Sequence, residues 1–215
     1  MSVAVKVWIS LLLAALAALT LVTLVRITAD PRLRPVGTPE ATTVQPPLEV
    51  GRQPLDLTSF QMTRRNGQSF SFAELQGKVW VASFFFSTCP HECMHLNQSL
   101  AALQRDETFD GVRFLSITVD PVTDTPEVLD DYAKLFNADA DRWLFLNGQI
   151  AEVMRFGKSV GVSSGFKSHT RRLALVDKTG RVRGHFMYNE AAAMKEMSEL
   201  AAQLVAEPSP PPPQT

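Results

Sequence analysis

The stretch from Val79 to Leu103 reads VWVASFFFSTCPHECMHLNQSLAAL and determines the expected fold of this chain. Its first part, Val79 to Phe86, is rich in β-branched and aromatic residues, which predicts a buried strand. Beyond Cys89-Pro90, apolar residues recur with roughly helical spacing, at Met94, Leu96, Leu100 and Leu103. The pattern therefore predicts a strand that passes directly into a helix, with a cysteine at the junction.

The only two cysteines of the chain, Cys89 and Cys93, lie at this junction. Pro90 suits the first position of a helix, because its missing N–H costs nothing there. Cys89 is then expected at the exposed N-terminus of the helix, where the macrodipole stabilises a thiolate. Cys93 follows about one turn later, so both sulfurs can face the same way. The spacing predicts a chemical site made of two thiols.

The distance between the two thiols favours a metal over a disulfide, although it leaves both open. Cβ atoms at helical positions i and i+4 lie about 5–6 Å apart, whereas a disulfide needs about 3.8 Å. A disulfide would therefore require local unwinding of the helix. Two thiolates can bind one soft ion such as Cu(I) at the larger separation.

The rest of the chain alternates predicted strands and helices. The turn signals Asn66-Gly67 and Asp177–Gly180 predict two hairpins. Strands are predicted over 59–63, 68–72, 79–86, 112–119, 143–146, 171–176 and 182–187, and helices after Cys89, from 124–127 to 137, over 150–160 and over 190–206. This order predicts an α/β sandwich with a central mixed sheet, its central strands parallel.

Both ends of the chain differ from this domain, which we expect to span residues 56–206. Val7 to Val25 is uncharged and long enough to span a bilayer, so residues 1–27 are predicted to form a retained transmembrane anchor. Residues 28–55 and 207–215 are rich in proline and are predicted to be a disordered tether and a disordered tail.

The charges of the chain bear on its partners and on its orientation. The 21 basic and 22 acidic residues nearly cancel, so no nucleic-acid partner is expected. Arginines follow the predicted anchor at positions 26, 32 and 34, against Lys6 before it. A positive-inside count alone would leave the domain in the cytoplasm.

The chain has four histidines that are candidates for a further metal ligand. His91 and His95 each follow a cysteine by two residues, about 200° around a regular helix, and are expected to be solvated. His185 lies within a predicted strand and is expected to be structural. His169 follows the loop Ser163–Ser168, which in a fold of this order would come up beside the cysteine helix. From the residues alone, a ligand role for His169 stays open.

Three motifs together resemble the Sco/SenC family of membrane-anchored, thioredoxin-fold copper chaperones for cytochrome c oxidase assembly. The motifs are FFFSTCPHEC, then SITVDPVTDTPEVLDDY, then a histidine just before LALVDKTGRV. The similarity covers roughly Phe60 to Ala206. It implies a thioredoxin-like domain that faces the periplasm, or an equivalent non-cytoplasmic side, despite the arginine count.

The resemblance also implies a site. Cys89, Cys93 and His169 would bind Cu(I) or Cu(II), and Asp120 would lie beside these ligands without binding the metal. The implied partner is the copper-receiving subunit of cytochrome c oxidase. The chain departs from the usual Cys-Pro-Asp-x-Cys-Pro pattern, because His91 replaces the Asp and Met94 the second Pro.

A second interpretation makes the protein an enzyme. In a membrane-tethered thiol–disulfide oxidoreductase, Cys89 would be the attacking thiolate and Cys93 the resolving thiol. A thiol redox sensor would use the same redox pair. The spacing is not Cys-x-x-Cys, which disfavours the enzyme. His169 distinguishes the interpretations, since copper binding needs it and disulfide exchange does not.

Overall fold

The computed structural model describes residues 2, 8, 13–14, 16–21, 53–168 and 170–210. In this part of the chain, seven strands form one sheet in the order β2-β1-β5-β4-β3-β6-β7. The strands are β1 Gln61–Arg64, β2 Ser69–Ser71, β3 Val79–Phe85, β4 Val112–Thr118, β5 Trp143–Asn147, β6 Arg172–Val176 and β7 Val182–Met187. The helices of the domain are α1 Glu92–Arg105, α2 Pro126–Lys134, α3 Ile150–Ser159 and α4 Ala191–Ala206.

Strand β3 lies near the middle of the sheet. It pairs in parallel with β4, from Val79 opposite Val112 to Phe85 opposite Thr118. On its other side it pairs antiparallel with β6. All seven residues of β3 are buried, as expected for a strand that is covered on both faces. These pairings confirm the predicted α/β fold with a central mixed sheet.

Both predicted hairpins are present. Strands β1 and β2 pair antiparallel, with Met62 opposite Phe70, across a turn in which Gly67 has a φ of +80°. Strands β6 and β7 pair across a turn in which Gly180 has a φ of +82°. Glycine adopts positive φ without the steric cost that a Cβ atom brings. Both turns thus lie at the Asn-Gly and Asp177–Gly180 signals, with strand ends that differ by no more than two residues from those predicted.

The helix after β3 begins later than predicted. Pro90 lies outside it, and α1 starts at Glu92 with His91 as its N-cap. His91 makes no side-chain cap bond; instead the sulfur of Cys89 accepts the backbone N–H of Cys93 at 3.3 Å. Residues 90 and 91 form a bend outside the helix, so the prediction that Pro90 is the first helical residue is wrong.

Aromatic side chains fill the core around Phe156 of α3. Its ring centroid lies 4.4 Å from that of Phe72 and 5.2 Å from that of Phe60. The ring centroids of Trp80 and Phe84, both in β3, each lie 6.2 Å from the ring centroid of Phe156. A fully buried side chain of this size contributes about 1.5–3 kcal/mol to stability. Burial of this kind supports the sheet that positions the cysteines.

Most of the predicted anchor, residues 1–27, lies outside the described residues. The residues described there include Trp8 and 16–21, which are helical and exposed. None of the helices in the described residues combines the length and the apolar character needed to cross a membrane. Residues 28–52 of the predicted tether and 211–215 of the predicted tail also lie outside the described part.

Candidate metal centre

The two cysteines come together where β3 passes into α1. Cys93 is the second residue of α1, and its backbone N–H donates to the sulfur of Cys89 at 3.3 Å. No disulfide joins these two described residues. Cys89 is 4% exposed and Cys93 2%, and both belong to the apolar core cluster. The expectation that Cys89 lies at an exposed helix start is therefore wrong, because the core encloses the end of β3 and the first turn of α1.

Burial controls the acidity of Cys93. Burial raises the pKa of the Cys93 thiol to about 12, and the neighbouring Cys89 and Glu92 add to this effect. A hydrogen bond with the Phe86 backbone opposes the shift without cancelling it. Cys93 thus keeps its proton at neutral pH. A metal ion would have to displace that proton, as is usual for thiolate ligands.

A cleft of about 300 Å³ opens beside the cysteines. It is lined by Cys89, Pro90, His91, Glu92 and Arg171. Of the two cysteines, only Cys89 lines this cleft among the described residues. A partner that enters the cleft therefore reaches Cys89 before Cys93.

A buried carboxylate joins the cysteine loop to the loop after β4. Asp124 is fully buried and accepts the backbone N–H of Ser87 at 3.1 Å, as well as the hydroxyl groups of Ser87 and Thr118. Buried polar groups of folded proteins are nearly always hydrogen-bonded, and here one side chain satisfies several donors. The neighbouring Thr125 caps α2, so Asp124 supports the loop that carries Cys89 instead of the helix start.

A second polar network lies beneath the first turn of α1. The side-chain amide of Asn97 donates to the carbonyl of Cys93 at 2.9 Å, and its oxygen accepts the Ser116 hydroxyl at 3.0 Å. The Trp143 indole donates to the same hydroxyl at 2.9 Å. Asn97 was missed in the sequence because it is polar. Its position four residues after Cys93, on the face that also carries Leu100, was the available signal.

The hydroxyl of Tyr132 completes this network. It lies 3.5 Å from the Asn97 side-chain nitrogen, and its ring stacks on Phe85 at 5.3 Å. Burial raises the pKa of Tyr132, and the neighbouring Cys93 and Cys89 add to the shift, although the contact with Asn97 opposes it. Tyr132 therefore stays protonated at neutral pH.

Asp120 lies just after β4 and is 1% exposed. The Lys167 ammonium lies 3.2 Å from its Oδ2, and the Lys167 backbone N–H donates to the carbonyl of Val119 at 3.2 Å. Burial opposes ionisation of Asp120, but hydrogen bonds with Thr123 and Lys167 outweigh it and lower the pKa. Asp120 thus contacts Lys167, which stands two residues before His169 in the sequence.

The predicted third ligand, His169, lies outside the described residues. Within the residues that are described, no three His, Cys, Asp or Glu side chains are placed to share a metal ion. His91 and His95 are exposed, as predicted. His185 is half-buried, and its Nε2 lies 2.7 Å from the Val160 carbonyl oxygen, which agrees with a structural role.

A mixed sheet of this order, with a Cys-x-x-x-Cys pair where its central strand passes into a helix, defines a thioredoxin-like protein with a thiol site. Residues 51–205 match the model of the SCO1/SenC family, and the chain belongs to this family. That family comprises copper-binding proteins of cytochrome c oxidase assembly.

Individual relatives agree with this assignment. The SCO1 protein homolog of Bacillus subtilis is 32% identical over 96 residues, which cover 43% of this chain and 49%, about half, of that relative. A SCO1/SenC family lipoprotein from Bacillus anthracis is 26% identical with a TM-score of 0.63, over 74% of this chain and 98% of that one. Bradyrhizobium japonicum ScoI with copper bound is 25% identical with a TM-score of 0.52, over 67% of this chain and 96% of that one.

Proposed function

We propose that this protein is a copper metallochaperone that acts in assembly of the copper centre of cytochrome c oxidase. Its cargo would be held by Cys89, Cys93 and His169, and its partner would be the copper-receiving oxidase subunit. The observation that carries the proposal is the 3.3 Å contact between the Cys89 sulfur and the Cys93 backbone, which sets two thiols at one helix start. Family membership and the copper-bound relative from B. japonicum support it.

The donor set suits copper in both oxidation states. Two thiolates favour Cu(I), and the imidazole of His169 would add the nitrogen ligation that Cu(II) prefers. Cys89 lines the cleft, so a ligand from the partner would replace Cys89 first and Cys93 second. Copper would then leave by ligand exchange, one thiolate at a time.

We also propose that the domain is tethered to a membrane on its non-cytoplasmic side. Residues 1–27 would be the anchor, 28–55 the tether, 56–206 the copper domain and 207–215 the tail. The uncharged run from Val7 to Val25 supports the anchor. The relative from B. anthracis is a lipoprotein, which fits attachment to a membrane.

The second candidate is a membrane-tethered thiol–disulfide oxidoreductase or a thiol redox sensor. The same contact between Cys89 and Cys93 favours it, because the two residues are close enough for small rearrangements to join them. It would not need His169, so the two functions can be separated.

Copper content decides between them. The full chain, purified reduced in detergent, would be offered Cu(I) and Cu(II) in separate experiments and its bound copper measured. We expect about one copper per chain in the wild type and none in Cys89→Ser or Cys93→Ser, since soft ions require the thiolates. The control is His95→Ala, an exposed histidine of α1 that should change nothing. A wild type that binds no copper, yet exchanges disulfides with a dithiol substrate, would refute the chaperone in favour of the oxidoreductase.

A further inference from the structure

The carboxylate of Glu92 contacts two side chains that lie 79 and 96 positions further along the chain, those of Arg171 and Tyr188. Arg171 Nε lies 2.9 Å from Glu92 Oε1, and Arg171 Nη2 lies 3.4 Å from Oε2. The Tyr188 hydroxyl donates to Oε1 at 2.5 Å and lies 3.4 Å from the Glu92 carbonyl oxygen. Glu92, Arg171 and Tyr188, which we name the Glu92 latch, thus contact one another through an ion pair and a hydrogen bond.

The latch connects the start of α1 with the open end of the β6–β7 hairpin, and both are close in sequence to proposed copper ligands. Glu92 is the first residue of α1 and stands directly before Cys93. Arg171 and Tyr188 face each other at the open end of the β6–β7 hairpin, where the Tyr188 N–H donates to the Arg171 carbonyl at 3.0 Å. In sequence, Arg171 follows His169 by two residues. The latch therefore ties the cysteine helix to the strand that begins just beyond the proposed third ligand.

The latch lies directly beside the sulfurs. Glu92 and Arg171 line the same cleft that Cys89 lines. The Glu92 side chain is 27% exposed, and Tyr188 is 8% exposed, so part of the latch is shielded from solvent.

We propose that the Glu92 latch positions the Cys89–Cys93 turn against the β6–β7 hairpin and thereby sets the copper affinity of the site. Glu92, Arg171 and Tyr188 are positioning residues that act through the cysteines. The inference rests on the proposed function for its copper readout. Its structural content, a coupling between α1 and the hairpin, is independent of copper.

The test is a double-mutant cycle on the full chain. Glu92→Gln, Arg171→Gln and the double variant would be titrated with Cu(I) and Cu(II), and the reduction potential of the Cys89/Cys93 pair measured without metal. We expect each single variant to weaken copper affinity about tenfold and the double variant to be no weaker than either one, as for residues that act as a unit. The reduction potential should shift in the same three variants. Tyr188→Phe removes only the hydroxyl, so it should change copper affinity and reduction potential in the same direction but by less.

The matched control is the exposed pair Lys195–Glu199 on α4, at 3.8 Å. Lys195→Gln and Glu199→Gln should leave both readouts unchanged. Additive effects of Glu92→Gln and Arg171→Gln, or unchanged affinity and potential, would overturn the latch. If the wild type binds no copper, the proposed function fails, and the latch is then judged by the reduction potential alone.

Discussion

The backbone N–H of Ser87 donates to the buried carboxylate of Asp124 at 3.1 Å, across 37 positions of sequence. Ser87 precedes Cys89 by two residues, so this bond positions the cysteine loop from the neighbouring loop of the sheet. The Ser87 hydroxyl and the Thr118 hydroxyl donate to the same carboxylate. Loss of the Asp124 carboxylate would therefore leave three donor groups without this acceptor.

Asp124→Asn tests this relationship. We expect the free energy of unfolding to fall by about 1–3 kcal/mol, because buried donors would face an amide NH₂ group. Copper affinity should fall as well, since the Cys89 loop loses its support. Urea denaturation and copper titration measure the two effects. Asp131→Asn, at a site whose side chain is 80% exposed, should change stability by less than about 0.5 kcal/mol. Equal effects of the two variants would contradict the supporting role of Asp124.

Asn97→Ala should destabilise the domain by about 1–3 kcal/mol. The Ser116 hydroxyl would lose its acceptor and the Cys93 carbonyl one of its donors, and unpaired buried groups carry that cost. The exposed neighbour Gln98→Ala is the control, with an expected change within about 0.5 kcal/mol. Urea unfolding measures both. A neutral Asn97→Ala would show that the network contributes little to the stability of α1.

His169→Ala should separate the two candidate functions. Loss of the imidazole should weaken Cu(II) binding by at least about tenfold, or about 1.4 kcal/mol, while Cu(I) stays bound to the two sulfurs. The reduction potential of the Cys89/Cys93 pair should change little. Copper titrations in both oxidation states and a redox titration give these values. Undiminished Cu(II) affinity would remove His169 from the site and favour the oxidoreductase.

Ionised Asp177 should stabilise the folded domain at neutral pH and lose this effect in acid. Burial opposes ionisation of its carboxyl, but hydrogen bonds from Thr179, Arg181 and Arg183 outweigh burial and lower its pKa from 3.8. A carboxyl whose pKa is lower in the folded state stabilises the protein above its unfolded pKa. That contribution is lost as the pH falls through the folded-state pKa.

Asp177→Asn should therefore flatten the acid limb of the stability curve. Urea midpoints taken from neutral to strongly acid pH would show it. Thr179→Val, which removes one hydroxyl donor to Asp177, should give an intermediate curve. A wild-type curve with the same acid limb as Asp177→Asn would disprove the assignment.

The domain should lie outside the cytoplasm. The native cysteines are buried and report poorly on access. Glu196→Cys, at an exposed position of α4, in a Cys89→Ser/Cys93→Ser background, provides an accessible thiol. A membrane-impermeant maleimide should label it in intact cells. Labelling that appears only after lysis would reverse the orientation, in agreement with the arginines at 26, 32 and 34.

Much of the fold was predictable because it is encoded locally. The run from Val79 to Phe86 has the composition of a buried strand, and Asn66-Gly67 has the conformational preference of a hairpin turn. The two cysteines are the only ones in the chain and lie at a strand–helix junction, so the thiol site was also visible in the sequence. Each of these signals spans a few neighbouring residues.

Tertiary structure alone decided how the site is built. The sequence suggested that Cys89 lies at the exposed start of a helix that begins with Pro90, whereas the core buries both cysteines and the helix begins at Glu92. Glu92 contacts Arg171 and Tyr188, which are separated from it by 79 and 96 positions in the sequence. Such contacts depend on which strands become neighbours in the sheet. No local pattern specifies them, because the order of β3, β6 and β7 in space is set by packing of the whole domain.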